Sequence, residues 1–403
     1  MKKNFTSFAL YTVFFFCSLS LYAYDFGLVF NQNADIDAPV SDLEKTGYKI
    51  SGVLLPRFSA LIGEKTDLYV SAAINYQTGP FAVIPELTRT DIDFNWGYAD
   101  IRIGRMFYSD PLGFIANNLF DGARVSFLTR GGNFSAGAWY TGFLYRERAA
   151  ITMTENEMKA GKKEVDYNDF VTTYFAPRRV LAALEYEYPS VGGFIGLKTS
   201  IIGQFDAGEE RLHSQYLTAN VSIPGKSLIF DMGGCVELIE YTDGIKPAFA
   251  ADIGLTFILP TKLEKHLTLS GRYASGVSED EAVCAFLPVT TVRQGEILQT
   301  KLSGLSLLCL DFTGRLLQSL SANTAFTYCI RNDLGTYRGY PVAGVSTEGF
   351  FLGAEIFGRL IWNITTGTRL NLGTGVFLPM LGDAAPEAGI KWRTNVNLVI
   401  SIF

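Results

Sequence analysis

The stretch Asp91-Ile-Asp-Phe-Asn-Trp-Gly-Tyr-Ala-Asp-Ile-Arg-Ile103 decides the fold. Apolar and polar side chains alternate on both sides of a turn at Trp96-Gly97. This pattern is typical of paired strands that have one apolar and one polar face. The same period recurs along the chain, for example at 123–127, 184–188, 267–272 and 308–313, and no segment shows a long helical period. The sequence therefore predicts an all-β protein.

The composition is unusual for a soluble β protein. The 403 residues are 48% hydrophobic and only 18% charged, whereas a soluble domain is about 25% charged. This excludes an extended disordered chain. Beyond the N-terminus no apolar run reaches the length of about 18 residues that a spanning helix needs. The net charge of −6 and the absence of a basic block argue against a nucleic-acid partner.

The N-terminus has the pattern of a secretory signal peptide. Met1-Lys2-Lys3 is positively charged, an apolar stretch follows at about 8–21, and Ala23 is a small residue at a plausible cleavage point. We therefore expect a signal peptide over 1–23 and a single domain over 24–403. An N-terminal anchor helix is one alternative. A lipoprotein modified at Cys17 is another, although the bulky Phe16 precedes that cysteine.

Short and long connections alternate along the chain. Short turns are predicted at 63–67, 96–97, 131–133, 189–193, 224–227, 260–266, 319–321 and 363–366, and longer loops lie between them. Short periplasmic turns on one rim and longer loops on the other are typical of an outer-membrane barrel. The predicted fold is a closed antiparallel transmembrane β-barrel of about 18 strands, with 16 as the alternative count.

The strands are predicted from the alternation between these connections. They fall near 25–31, 46–61, 67–77, 84–95, 98–107, 122–130, 134–147, 178–188, 194–205, 211–223, 228–241, 247–258, 267–275, 297–317, 322–331, 347–361, 367–377 and 390–403. Aromatic residues gather near strand ends, as in the girdles of barrels in lipid. In lipid every backbone group must pair internally, so the sheet must close. A large secreted β protein is the competing interpretation.

Three stretches resemble a known family. They are 24–32 (YDFGLVFNQ), 104–124 (GRMFYSDPLGFIANNLFDGAR) and 136–142 (AGAWYTG). They are similar to a poorly characterised outer-membrane barrel family of spirochaetes, and more broadly the chain resembles porins. The resemblance implies passive diffusion of small solutes through a water-filled lumen. The last strand ends in Phe403 and resembles the signal read by the barrel-assembly machinery, although its cleaner apolar register lies one position away from Phe403.

The residues that alternate with the apolar set should face the lumen. Charge of both signs is present there, and charged rings tune the selectivity of a pore. Ion pairs that merely keep the lumen hydrated are the alternative. The lumen and selectivity candidates are Arg89, Asp91, Asp93, Asp100, Arg102, Arg124, Lys198, Arg272, Asp311, Arg315, Glu355, Arg359 and Arg369.

The loop Ser109–Gly122 is unusually apolar for an outer loop. Exposed apolar clusters usually mark burial or binding. By similarity to porins we expect this loop to fold into the barrel as a constriction, and a lid over the rim is the alternative. The constriction candidates are Pro111, Leu112, Phe114, Asn117, Phe120 and Asp121.

Two further features are open to interpretation. The mixed charges of 148–177 predict a solvated surface loop, which is a candidate for an adhesive contact. Cys309 and Cys329 are roughly equidistant from the turn near Ser319 and share the inward register. They either form a disulfide across neighbouring strands or remain free thiols.

The sequence favours a porin-like channel for small hydrophilic solutes in the bacterial outer membrane. The alternatives are a non-conducting surface barrel, adhesive or structural, and a dedicated transporter of hydrophobic solutes. We expect no enzyme activity. His213 and His266 are the only two histidines, neither is well placed for a catalytic triad, and the sequence has no recognised catalytic motif. We also expect no cofactor and no metal. The expected partners are membrane lipid, the assembly machinery and small solutes, and an oligomer is possible.

Overall fold

The computed structural model describes residues 21–40, 46–78, 82–161, 163–208, 211–241, 244–335, 345–346, 348–385 and 387–402. Most of the predicted signal peptide and Phe403 lie outside the described residues. Leu21–Ala23, its last three residues, lie in the first strand.

Eighteen strands make up the sheet. They are β1 (Leu21–Pro39), β2 (Gly47–Ile62), β3 (Thr66–Gln77), β4 (Ala82–Asn95), β5 (Ala99–Ser109), β6 (Asn117–Thr129), β7 (Gly132–Tyr140), β8 (Arg179–Val191), β9 (Ile195–Asp206), β10 (His213–Pro224), β11 (Leu228–Tyr241), β12 (Gly244–Leu259), β13 (Lys265–Ala274), β14 (Leu305–Leu317), β15 (Leu320–Arg331), β16 (Phe351–Thr365), β17 (Thr368–Leu378) and β18 (Lys391–Ile402).

Each strand pairs antiparallel with its neighbours in chain order, and the first and last strands close the ring. Leu28–Pro39 of β1 pairs with Ile402–Lys391 of β18. The prediction of a closed antiparallel barrel with 18 strands is therefore confirmed. Its physical basis is the period of two, because alternate side chains of a strand point to opposite faces.

The two faces of the barrel differ in chemistry. Large apolar side chains such as Ile103, Phe107, Leu184, Ile201 and Leu217 are exposed on the outside. The polar residues that alternate with them point inward. An apolar outer face suits contact with lipid. The closed ladder also leaves few backbone groups unpaired, which a lipid environment requires.

Three strand predictions are corrected by the structure. The strand predicted over 134–147 ends at Tyr140, because the chain leaves the sheet there and enters a short helix at Arg146. The first strand runs from Leu21 to Pro39, much longer than the predicted 25–31. The predicted strand 297–317 begins only at Leu305. Leu298 and Leu302 are buried in a loop that folds into the barrel, so their apolar character reflects packing inside the lumen instead of a lipid-facing strand.

The connection between β7 and β8 contains three short helices, α1 (Arg146–Ala149), α2 (Glu155–Gly161) and α3 (Phe170–Tyr174). The prediction of a solvated surface loop over 148–177 holds for its charged residues, because Glu155, Lys159 and Asp166 are exposed. It fails for Ala149, Met153 and Tyr174, which are buried. No helix in the described part of the chain is long and apolar enough to cross a membrane.

Candidate permeation pathway

Residues 110–116, between β5 and β6, fold into the barrel around Asp110. The Asp110 carboxylate accepts hydrogen bonds from the backbone N–H groups of Leu112, Gly113, Ile115 and Ala116 at 2.8–3.0 Å. Burial raises the pKa of this carboxyl above its usual range, and the four donors oppose that change by favouring the charged form. The loop is thus organised by one of its own residues.

The same loop reaches across the lumen. Phe114 and Ile115 are fully buried. A Cβ atom added at Gly233 of β11 would overlap Leu112, so this loop touches a wall several strands away. The Arg272 guanidinium lies 5.2 Å from the centre of the Phe114 ring. The prediction that this segment lies inside the barrel agrees with the geometry.

The boundaries of the predicted constriction change, however. Asn117, Phe120 and Asp121 belong to β6, so the loop is shorter than Ser109–Gly122. Asp121 pairs in register with Arg105 and Tyr140. Its side chain accepts two hydrogen bonds of 2.7 Å from Arg105. This places Asp121 on the outer face of the sheet, away from the lumen.

A second loop, residues 275–304 between β13 and β14, also folds inward, which the sequence pattern does not predict. Two wall carboxylates hold it. Glu237 of β11 accepts from the Leu287 N–H at 2.9 Å. Glu355 of β16 accepts from the N–H groups of residues 296, 297 and 298 at 2.6–3.0 Å. Gly295 has a φ of +76°, and a Cβ there would lie 2.8 Å from the Glu355 carboxylate.

The two inward loops meet each other. The Thr290 N–H donates to the Ile115 carbonyl at 3.0 Å, and the Asn117 N–H donates to the Thr290 hydroxyl at 2.8 Å. The rings of Phe114 and Phe286 pack edge to face with centroids 6.1 Å apart. Together the loops and the walls of β5–β13 form one continuous buried cluster. This half of the lumen is therefore filled.

The opposite half of the lumen, around β17, β18 and β1, is bordered mainly by polar side chains. The long loop reaches this half at one point, where the Arg393 guanidinium of β18 donates to the Glu296 carbonyl at 2.9 Å. Asn31 and Asn33 of β1 bond to Asn397 and Asn395 of β18 at 2.5 and 2.7 Å. Asn371 of β17 continues the row at 3.0 Å from Asn397. Asp35 pairs with Arg393 at 2.8 Å. We call this set of amides and its ion pair the amide seam. It presents neutral hydrogen-bonding groups to the inside of the barrel.

Two cavities lie at different levels of the barrel, and the loop 110–116 borders one of them. The cavity toward the rim with the short turns has a volume of about 470 Å³ and is lined by Asp110, Pro111, Arg124, Glu185 and Lys198, among others. The cavity toward the opposite rim has a volume of about 570 Å³ and is lined by Lys49, Arg146, Glu147, Lys163 and Arg293, among others. Charged side chains of both signs border each cavity.

Several ion pairs inside the barrel have an unequal exposure. The Arg89 side chain is 42% exposed while its partner Asp91 is 1% exposed. In the Arg148–Glu86 pair the values are 41% and 3%. Arg124 is likewise more exposed than Glu185. In the pairs Lys198–Glu187, Arg359–Glu296 and Arg393–Asp35 the partners are about equally exposed. In the first three pairs the guanidinium group thus lies closer to the water inside the barrel than the acid that balances it. In the pairs Arg105–Asp121 and Arg179–Glu157 the acid is the more exposed partner.

The predicted lumen residues fall into two groups. Register places all of them on the inner face, but Arg272 is covered by Phe114 and bonded to Gln294, and Glu355 is buried under the second loop. Those two support a loop. The others line the inner wall: Arg89, Asp91, Asp93, Asp100, Arg102, Arg124, Lys198, Asp311, Arg315, Arg359 and Arg369.

The register of β14 and β15 separates the two cysteines. Cys309 lies opposite Thr327, and Cys329 lies opposite Leu307. Both thiols are free in the structure. Equal spacing from the turn predicted that the two cysteines lie opposite each other. They do not, because the irregular register near Arg315 shifts one strand relative to the other. Among the described residues no cluster of His, Cys, Asp and Glu is suited to hold a metal ion.

Comparison with solved structures gives the same fold. OccK2 (OpdF) of Pseudomonas aeruginosa matches with a TM-score of 0.65 and 12% identity, over 95% of this chain and 99% of that one. OprD of the same organism matches with a TM-score of 0.61 and 13% identity, over 96% and 95% of the two chains. A structure of OccK2 in complex with glucuronate matches with a TM-score of 0.64, 12% identity and coverages of 95% and 99%. No family model and no curated protein matches the sequence.

Proposed function

We propose that this protein is a porin-like channel of the bacterial outer membrane through which small hydrophilic solutes diffuse passively. The observation that carries the proposal is the division of the lumen. One half is filled by the two inward loops, while the other half keeps a polar wall that includes the amide seam. A barrel of this strand number is wider than its side chains can fill, so a narrowed passage is the expected result.

The exposure of the arginines supports a preference for anions. Arg89, Arg124 and Arg148 face the water while Asp91, Glu185 and Glu86 lie behind them. A solute in the passage would meet guanidinium groups before carboxylates, and guanidinium binds carboxylate and phosphate oxygens in a fork geometry. We infer that small solutes with a carboxylate pass preferentially. The matched structure of OccK2 holds glucuronate, a sugar acid, which makes that compound a suitable first probe.

The test is conductance of the refolded chain in a planar bilayer, together with liposome swelling in glucose, glucuronate and glucosamine. We expect discrete conductance steps and faster swelling in glucuronate than in glucosamine. The absence of conductance under all voltages and salts would contradict a channel and favour the non-conducting surface barrel. Equal swelling in all three would leave the channel and remove the anion preference.

Substitution of the exposed arginines tests the solute charge directly. In the double variant Arg89→Gln/Arg102→Gln we expect the anion-to-cation permeability ratio to fall roughly twofold, because charges that line a pore set its selectivity. The measurement is the reversal potential in a KCl gradient. Arg130→Gln, in the turn between β6 and β7, removes the same charge away from the lumen wall and is the matched control. A ratio unchanged in the double variant would contradict the role of these arginines.

We also propose the remaining expectations from the sequence. They are cleavage of a signal peptide 1–23, recognition of the last strand by the assembly machinery, a possible oligomer, the lack of enzyme activity, and the narrower relationship to spirochaetal barrels. The matched structures come from Pseudomonas. N-terminal sequencing of the protein purified from membranes tests the first of these, and a start other than residue 24 would contradict the predicted cleavage point.

A further inference from the structure

The barrel wall contains a gap between β4 and β5. These strands pair only from Thr90 to Asn95, opposite Arg105 to Asp100. Residues 82–87 of β4 continue to pair with β3, and residues 106–109 of β5 continue to pair with β6. In the described part of the chain no strand pairing joins these two outer segments. Pro85 lies in the open edge, which suits a residue that has no backbone N–H to donate.

Side chains take the place of the missing strand pairing. The backbone carbonyls of alternate β4 residues, Val83, Pro85 and Leu87, point into the gap. They accept hydrogen bonds, in this order, from Tyr167, from Tyr174 at 2.9 Å and from Arg105. Tyr167 and Tyr174 belong to the connection between β7 and β8. That connection therefore covers an edge that a neighbouring strand would otherwise cover.

Arg105 fastens both borders of the gap. Its guanidinium forms two hydrogen bonds of 2.7 Å with Asp121 of β6, one with the Leu87 carbonyl of β4, and one of 3.0 Å with the Phe143 carbonyl of the connection. Arg105 itself is almost fully buried. A single side chain thus joins β4, β6 and the covering segment.

Residues 143–149 fill the gap, and we call them the plug. Leu144, Tyr145 and Ala149 are buried there. A small cavity remains between the plug and the wall residues Glu86 and Leu119. Tyr145 and Arg148 border this cavity and also a luminal cavity of about 280 Å³. Tyr145 and Arg148 of the plug therefore lie between the gap and the lumen at this level.

The two ends of the gap differ in polarity. Leu87, Phe107 and Phe143 are exposed on the outside, where they continue the apolar belt of the barrel. On the inside, Arg148 of the plug pairs with Glu86 at 2.7 Å. The path across the wall thus begins among groups that suit an acyl chain and ends at a charged pair that suits a polar head.

We propose that the gap is a lateral opening that admits a single-chain amphiphile from the outer leaflet of the membrane. The acyl chain lies between Leu87 and Phe107, and the polar head reaches the Glu86–Arg148 pair when Leu144 and Tyr145 of the plug move aside. Opening leaves every ladder between the barrel strands intact. It breaks side-chain hydrogen bonds, the backbone bond from the Ala176 N–H to the Leu144 carbonyl, and the bridge between Tyr145 and Phe175. The proposal goes beyond solute diffusion through the lumen and requires only that the barrel lies in a membrane.

The experiment places a photoreactive amino acid at Leu144. The full-length mature protein is refolded into phosphatidylcholine liposomes that contain lysophosphatidylcholine, irradiated, and examined by mass spectrometry for lipid adducts. The matched control carries the same label at Ile115, which is equally buried but lies in the other inward loop. We expect lipid adducts at position 144, enriched in the single-chain lipid, and none above background at position 115.

Arg105→Gln tests the fastening of the plug. We expect it to increase the adducts at position 144 severalfold, because the link between Leu87 and Phe143 is lost. Equal labelling at 144 and 115 in the otherwise unchanged protein would overturn the proposal. Adducts that appear only with Arg105→Gln would also overturn it, since the gap would then open only when damaged. Conductance of the same preparations is measured separately, so failure of the lateral opening is distinguishable from failure of the channel.

Discussion

The two inward loops reach the same place by different means. Loop 110–116 is held by Asp110, one of its own residues, which binds four N–H groups within six positions of itself. Loop 275–304 is held by Glu237 and Glu355, which lie 50 and 57–59 positions away in sequence. The short loop is thus stabilised by hydrogen bonds within itself, whereas the long loop is stabilised by hydrogen bonds to the barrel wall.

Removal of the long loop should have the largest effect on the pore. Replacing 281–300 by a short Gly/Ser linker empties much of the filled half while leaving the strand ladders of β13 and β14 in place. We expect single-channel conductance to increase roughly severalfold, because an 18-stranded barrel is wider than its wall side chains fill. Single-channel recording measures this. An unchanged conductance would mean that loop 275–304 does not restrict the passage.

Loss of the Asp110 carboxylate should disrupt the short loop as a unit. In Asp110→Ala four buried N–H groups lose their acceptor, and each unmet buried donor costs about 1–3 kcal/mol. We expect a higher and noisier conductance and a lower unfolding midpoint in guanidinium chloride. Asp100→Ala removes an exposed inward carboxylate near the rim and serves as the control. If both variants behave alike, the loop does not depend on Asp110.

Glu355→Gln should loosen only one end of the long loop. The amide retains an oxygen acceptor but loses the charge that strengthens the three hydrogen bonds, which is worth about 1 kcal/mol. We expect increased backbone hydrogen exchange confined to residues 295–298, with loop 110–116 unchanged. Glu187→Gln is the control, because Glu187 pairs with Lys198 and touches neither loop. Exchange that increases in both loops would show that they are coupled.

The smallest effect is expected at two glycines with similar backbone angles. Gly295 and Gly113 have φ of +76° and +72°. An alanine in this left-handed region costs about 1–2 kcal/mol at either position. At Gly295 the new Cβ would also crowd the Glu355 carboxylate, whereas at Gly113 it would meet only the Ser109 hydroxyl, at an ordinary contact distance of 3.9 Å. We expect Gly295→Ala to lower the unfolding midpoint more than Gly113→Ala. The reverse order would contradict the role given to Glu355.

The fold was predictable from the sequence because its main signal is local. Alternation such as that of 91–103 fixes the face of each residue, and the turns fix where each strand ends. The inward position of 110–116 was predictable for the same reason, since Leu112, Phe114 and Ile115 are too apolar for an outer loop. These inferences needed only residues that are close to one another in sequence.

The long loop was not predictable in this way. The sequence pattern placed Ile297, Leu298 and Leu302 in a strand. The two-residue alternation cannot distinguish an apolar residue that faces lipid from one that packs inside the lumen. Glu355 looked like a selectivity residue because nothing near it in sequence identifies the N–H groups that it binds. The gap between β4 and β5 depends on tyrosines more than 80 positions from their acceptors.

The amide seam affects how closure of the barrel depends on pH. It joins the two ends of the chain, with partners 362 and 366 positions apart, so it forms the joint that turns an open sheet into a ring. Asparagine neither gains nor loses a proton over the range in which carboxylates and histidines titrate. Most of the side-chain bonds at this joint are therefore the same in acidic and alkaline surroundings. We therefore expect closure of the barrel to depend little on the external pH.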